Sequence, residues 1–292
     1  MASFQTPRPI MLSIELGQGL VHVIAADRTD TVVAVNPTDR DRAQDDETAQ
    51  KTLVDLTGGT LSIRAPRPPG IRGYLGMAKG GSVDVTVELP AGSSLRAEVG
   101  YGELRCDGRL DDVEIRSGAG GVRLDQTAAL RVRCGAGPVS VEAVLGVAEI
   151  VSAGDMTIGA VAGKADIKNL NGKTWIGSVG GDVTVRSANG DVTIEDAGRN
   201  VSVKTANGNV RLGQVARGAV SVETASGGLE IGIREGTAAW IDASTHFGRV
   251  DNTLPPSQSP DRGTDIVEVS ARTAFGDVLI TRSPTSSQEG AS

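Results

Sequence analysis

Apolar and polar residues alternate over short stretches through most of this chain, and glycine interrupts the alternation about every 18 residues. The unit is clearest in VTVRSANGDVTIEDAGRN, residues 183–200. Val183 and Val185 precede Gly190 in alternation with Thr184 and Arg186; Val192 and Ile194 follow it in alternation with Thr193 and Glu195. A period of two describes strands with one face inward and one outward. Asn189-Gly190 between them, echoed by Asn171-Gly172 and Asn207-Gly208, supplies residues that tolerate the positive φ of a tight corner. The equivalent glycines are Gly102, Gly120, Gly137, Gly154, Gly172, Gly190, Gly208, Gly227, Gly248 and Gly276. This spacing predicts an all-β fold, a β-solenoid (parallel β-helix-like) of about ten coils of roughly 18 residues.

With each glycine as origin, the coils align into columns. Two residues on stand Leu104, Val122, Val139, Met156, Thr174, Val192, Val210, Leu229, Val250 and Val278, the expected core. Three before it stand Ser117, Cys134, Asn169, Ser187, Thr205, Thr224, Thr245 and Thr273, small groups suited to hydrogen bonding at the corner. The coil at Gly154 is one residue short, with Ser152 in that place.

Residues 1–90 fall outside this register yet still read as strands, at Leu12–Leu16, Leu20–Ala26, Thr31–Val35, Leu61–Arg64 and Val83–Leu89. A stack of coils exposes an unpaired end, so this N-terminal β region is expected to cap a solenoid spanning 91–282. The charged stretch 36–52 reads as an exposed loop, and so does the Pro/Gly-rich stretch 65–81 with Tyr74, Leu75 and Met77. An insertion is expected near 252–265, and a disordered tail over 283–292.

Composition narrows the chemistry. Aromatic residues make up only 2% of the chain, so the core must be built from aliphatic side chains. A net charge of −7 disfavours nucleic acid or an anionic membrane as the main partner. The N-terminus has no cationic stretch leading into a long apolar run, and no apolar run is long enough to span a bilayer, which points to the cytoplasm. Cys106 and Cys134 fall in different inward columns about 10 Å apart and are expected to be structural thiols.

Candidate sites are few. Arg116, Arg133, Lys168, Arg186 and Lys204 form a basic column four residues before the glycine, with Arg272 beyond Glu223 and Ser244. It could meet a polyanion, but Glu114 and Asp166 interleave with it, as on a solvated sheet face. Trp175 falls on the outward phase, where it could anchor a partner or pack on the N-terminal region. Trp240 reads as a cap residue. The two histidines, His22 and His246, form no metal or nucleophile motif, and no cofactor is expected.

The copies VTVRSANGDVTIEDAG, VSVKTANGNVRLGQV and VSARTAFGDVLITRS resemble the bacterial "putative adhesin" family of β-strand-repeat proteins over residues 80–282. The resemblance implies a β-solenoid with no catalytic residues to carry over. It also implies a surface location, from which the absence of an export signal departs. The leading expectation is a non-enzymatic scaffold or interaction protein that meets a protein partner or another copy of itself. A β-helical carbohydrate-active enzyme and a weak polyanion-binding surface are the alternatives.

Overall fold

The computed structural model describes residues 1–66, 80–255 and 265–283, and its fold is an all-β solenoid. Tyr74, Leu75 and Met77 lie outside the described residues, as does most of the insertion near 252–265. The chain divides into two compact units, Met1–Asp155 and Met156–Ser292.

In the first unit, β1 (Ala2–Gln5), β2 (Met11–Ala26) and β3 (Asp30–Pro37) are followed by helix α1 (Ala43–Lys51). Then come β4 (Leu53–Thr57), β5 (Thr60–Arg64), β6 (Val83–Pro90) and β7 (Ser94–Tyr101). β8 (Leu104–Ala119), β9 (Val122–Cys134), β10 (Val139–Val144) and β11 (Ala148–Ser152) complete it. β2 is long enough to supply both arms of a coil: β7 pairs parallel with its first half and β8 with its second. On the other side of β2 lie β5 and β6, also parallel. Beyond these the direction reverses, with β4 antiparallel to β5, β3 to β6 and β1 to β3.

Two features depart from the sequence expectation. The glycine ladder reaches Gly19, inside the stretch that escapes the period: a Cβ on Gly102 would sit 1.7 Å from the Gly19 carbonyl oxygen. Gly19 stacks there because β2 enters the same coil geometry from a sequence position far from 18 residues away. The stretch 36–52 is also not all loop. α1 forms because Asp45 is buried and accepts a hydrogen bond from the Ser82 backbone N–H at 3.0 Å, while the Arg42 guanidinium lies 3.7 Å from its carboxylate. Tertiary anchoring outweighs the weak apolar content of that segment.

The second unit contains β12 (Met156–Val161), β13 (Ala165–Asn171), β14 (Thr174–Val179), β15 (Val183–Asn189), β16 (Val192–Ala197) and β17 (Val201–Asn207). It continues with β18 (Val210–Val215), β19 (Gly218–Ser226), β20 (Leu229–Arg234), β21 (Ala238–Phe247), β22 (Val250–Asn252), β23 (Ile266–Phe275) and β24 (Val278–Ser283). β13, β15, β17 and β19 stack in parallel as one wall, and β12, β14, β16, β18 and β20 as the other. Val183, Val185, Val192, Ile194 and their equivalents are buried between the walls, as the columns require. At the corner, Gly190 has φ +117°, and a Cβ there would lie 2.1 Å from the Gly172 carbonyl oxygen. Only glycine allows consecutive coils to approach this closely.

The last two coils stack out of sequence order. β23 pairs with β19 on one side and β21 on the other; β24 lies likewise between β20 and β22. The chain therefore skips one position, forms β21 and β22, and returns to fill the gap with β23 and β24. Arg282 on β24 secures the crossing, its Nη1 donating to the carbonyls of Arg234 and Thr237 at 3.0 and 2.7 Å. Ser283 belongs to β24, and its hydroxyl donates to the Gly213 carbonyl at 2.6 Å, so the ordered strand takes in the first residue of the expected tail.

Candidate functional site

The small polar column hydrogen-bonds from coil to coil at some corners but not at all of them: Thr205 donates within its own coil to Asn207 O at 3.4 Å, and the buried Ser187 Oγ has no partner among the described residues. Thr224 donates to Gly208 O at 3.3 Å, Thr273 to Gly227 O at 3.0 Å and Thr245 to Gly276 O at 2.9 Å, each onto the neighbouring coil. Ser152, in the short coil, makes the same bond to Gly137 O at 3.4 Å. Cys106 and Cys134 are free and buried. Burial raises the pKa of both thiols, so neither is a ready nucleophile.

Trp175 projects outward on β14, 39% exposed, with Nε1 donating to Glu195 Oε1 at 3.3 Å. The basic column splits between the units. In the first unit Arg116 stands beside Arg133 and donates to Glu114 at 2.9 Å. In the second, Lys168, Arg186 and Lys204 stack in consecutive coils, and Glu223 closes the row with an ion pair to Lys204 at 2.9 Å. Trp175 lies on the wall of β12, β14 and β16, whereas Lys168, Arg186 and Lys204 lie on the wall of β13, β15 and β17, so the structure does not bring the ring and the cations together. Among the described residues, no group of three or more His, Cys, Asp and Glu side chains could hold a metal ion.

The concentrated chemistry lies instead on the outermost coil of the second unit. β21 pairs with β23 on one side, and among the described residues no strand pairs on the other. Its inward residues Ile241, Ala243 and Thr245 stand over Val269, Ala271 and Thr273, which are buried, but are themselves only half-covered because among the described residues no coil follows. Val250 on β22 is exposed for the same reason.

Aromatic residues gather here in a chain with only two Trp, two Tyr and three Phe. Trp240 and Phe247 are each 67% exposed and Phe275 is 56% exposed. The rings of Phe247 and Phe275 stack with centroids 5.0 Å apart and planes 4° from parallel. A depression of about 400 Å³ beside Trp240 is lined by Ser221, Asp242, Glu268 and Ser270. Asp242 is held by Arg272 Nη2 at 3.0 Å.

Edge strands in soluble proteins are commonly kept short, or carry Lys or Pro that discourages pairing. In the first unit, β1 and β4 have four and five residues. β21 has ten, AAWIDASTHF, with no Lys, Arg or Pro. The sequence reads Trp240 as a cap residue but does not place it at an open edge. The one signal in the sequence was Asn252, a polar residue in the column that holds Ile194, Leu212, Ile231 and Ile280, although inward polar residues such as Asn169 and Thr174 also occur in the middle of the stack.

A family model, Toastrack DUF4097, matches residues 11–283. No curated protein matches the chain. Among solved structures, a "putative adhesin" from Bacteroides fragilis is 8% identical, with a TM-score of 0.37 and coverage of 96% of this chain and 95% of that one. A "putative lipid binding protein" from Parabacteroides distasonis is 14% identical, with a TM-score of 0.31 and coverage of 96% and 95%. A "putative adhesin" from Parabacteroides merdae is 10% identical, with a TM-score of 0.33 and the same coverage.

Proposed function

The chain belongs to the Toastrack DUF4097 family, and on that footing we propose that it is a non-enzymatic, adhesin-like interaction protein whose contact surface is the open edge of β21. One observation carries this reading: a ten-residue edge strand without Lys, Arg or Pro, beside which the chain exposes Trp240, Phe247 and Phe275. The free N–H and C=O groups of such an edge recruit an added strand, and the aromatic rings provide apolar area around it. Trp175, the Lys168–Arg186–Lys204 row and the stretch containing Tyr74, Leu75 and Met77 are secondary candidates for partner contact.

Replacing Ser244, an outward residue of β21, with a photo-crosslinking amino acid tests the reading in cells that express the protein. Protein adducts are expected at position 244 and not at Thr193, on the outer face of a coil with neighbours on both sides. Absence of adducts at 244 would overturn it. So would turnover of a glycan that disappears on Asp242→Asn or Glu268→Gln, because the ring and carboxylates beside the depression would then be catalytic.

A further inference from the structure

We infer that the partner of the β21 edge is a second copy of this chain, joined through a twofold axis at Ala243 so that the two β21 strands pair antiparallel. The inference rests on the reading of β21 as the contact surface and goes further by naming the occupant and the register.

The argument starts from parity. Residues directly opposite each other on antiparallel strands point to the same face. The inward set of β21 includes Ala239, Ile241, Ala243 and Thr245, and among the described residues no strand covers its free edge. Inward residues must meet inward residues, since a slip of one position would turn the apolar set to solvent. The twofold axis must therefore pass through a residue rather than between two. An axis at Asp242 would oppose two carboxylates, a destabilising arrangement. An axis at Ser244 loses part of the overlap and leaves Trp240 opposite the corner at Gly248. The axis at Ala243 uses the strand from Ala239 to Phe247. It places Ile241 opposite Thr245, Asp242 opposite Ser244 and Trp240 opposite His246, with no like charges facing each other.

Charge supports the same occupant. Asp242, the only acidic residue of β21, is already held by Arg272, so the edge presents no unbalanced charge to repel an identical strand. The operation is also closed: twofold pairing consumes both edges, whereas head-to-tail stacking would propagate.

The test uses the full chain. Sedimentation velocity of the purified protein is expected to show a dimer, and Ala243→Lys, which brings two ammonium groups together at the axis, is expected to weaken it by roughly tenfold or more. Ala243→Cys places two thiols on the axis, on Cβ positions roughly 4.5–5.5 Å apart and near disulfide spacing. Mild oxidation should then give a covalent dimer, while Thr193→Cys should not. Cys106 and Cys134 are buried and do not compete. Circular dichroism confirms that each variant is folded.

A native protein that stays monomeric overturns the inference, as does equal crosslinking at 193 and 243. A native monomer that dimerises only after residues 256–264 are replaced by a Gly/Ser linker also overturns it, by showing that the chain covers its own edge. The broader reading is separable: a monomer whose position 244 still captures another protein removes self-association but keeps the edge as a contact surface. If neither association nor capture is found, both fail.

Discussion

Gly190 and Gly17 are the same residue type under opposite constraints. Gly190 combines φ +117° with a coil-to-coil approach that leaves no room for a Cβ, whereas a Cβ on Gly17 would meet nothing within 4 Å. Gly190→Ala is expected to lower stability by about 2–4 kcal/mol, from backbone strain and separation of the coils. Gly17→Ala should leave the urea midpoint nearly unchanged. Equal effects would mean that the corner relaxes freely and that the ladder is only a sequence habit. The glycine columns could be read directly from the sequence because each coil imposes the same steric limit at the same place. Asn252 was equally visible but carried no meaning until β22 was found at an end, since a single polar residue in an apolar column does not reveal which neighbour is missing.

Whole strands repeat their side-chain contacts as well as their backbone pairing. Asn171, Asn189 and Asn207 end β13, β15 and β17, and their amides form a ladder: Asn189 Nδ2 donates to Asn171 Oδ1 at 2.9 Å and Asn207 Nδ2 to Asn189 Oδ1 at 3.0 Å. Removing the middle residue breaks both bonds, so Asn189→Ala should cost about 0.5–1.5 kcal/mol in urea unfolding. A loss no larger than that of an outward Thr184→Ala control would show that solvent replaces the amides without cost. Strand periodicity is local and was therefore legible; pairing partners are not. Nothing in VSARTAFGDVLITRS distinguishes a coil that ends the stack from one inserted between two others, and this is why the β21 edge escaped sequence reading while the inward and outward faces did not.

Charge acts on the molecule as a whole, although its strongest contacts are local. The hydrogen bond from Arg96 at 2.9 Å is the main reason that Glu114 is held below its ordinary carboxyl pKa. For Asp107, burial works in the opposite direction but is outweighed by bonds from Arg105 Nε at 2.7 Å and His22 Nε2 at 2.6 Å. Both carboxyls have lower pKa values folded than unfolded. Between the two values the unfolded chain binds more protons, so the stabilisation is complete above the unfolded value and disappears as pH falls through the folded one. Urea midpoints measured from neutrality into acid should decline through the carboxyl range, and Glu114→Gln should flatten part of that decline. An unchanged slope would show that these contacts add nothing. The net charge of −7 at neutrality shrinks toward the isoelectric point near 5.0, so sedimentation over the same range must separate nonspecific association from pairing at β21.

The crossed order of the last coils also bears on how the protein is made. During synthesis β21 and β22 leave the ribosome before β23 and β24, yet their final neighbours are the strands that emerge after them. A chain that has exposed β21 and β22 but not yet β23 and β24 can cover β19 and β20 only by placing β21 and β22 in the gap that the later strands finally fill. Folding must then either wait or reverse that pairing, and nonlocal rearrangements of this kind are slow. Refolding followed by Trp240 fluorescence, in a Trp175→Phe background, should show a slow phase that is absent when the reporter is Trp175 alone. The fold thus contains a checkpoint in time: its outer edge cannot be completed until the last strand of the solenoid is available.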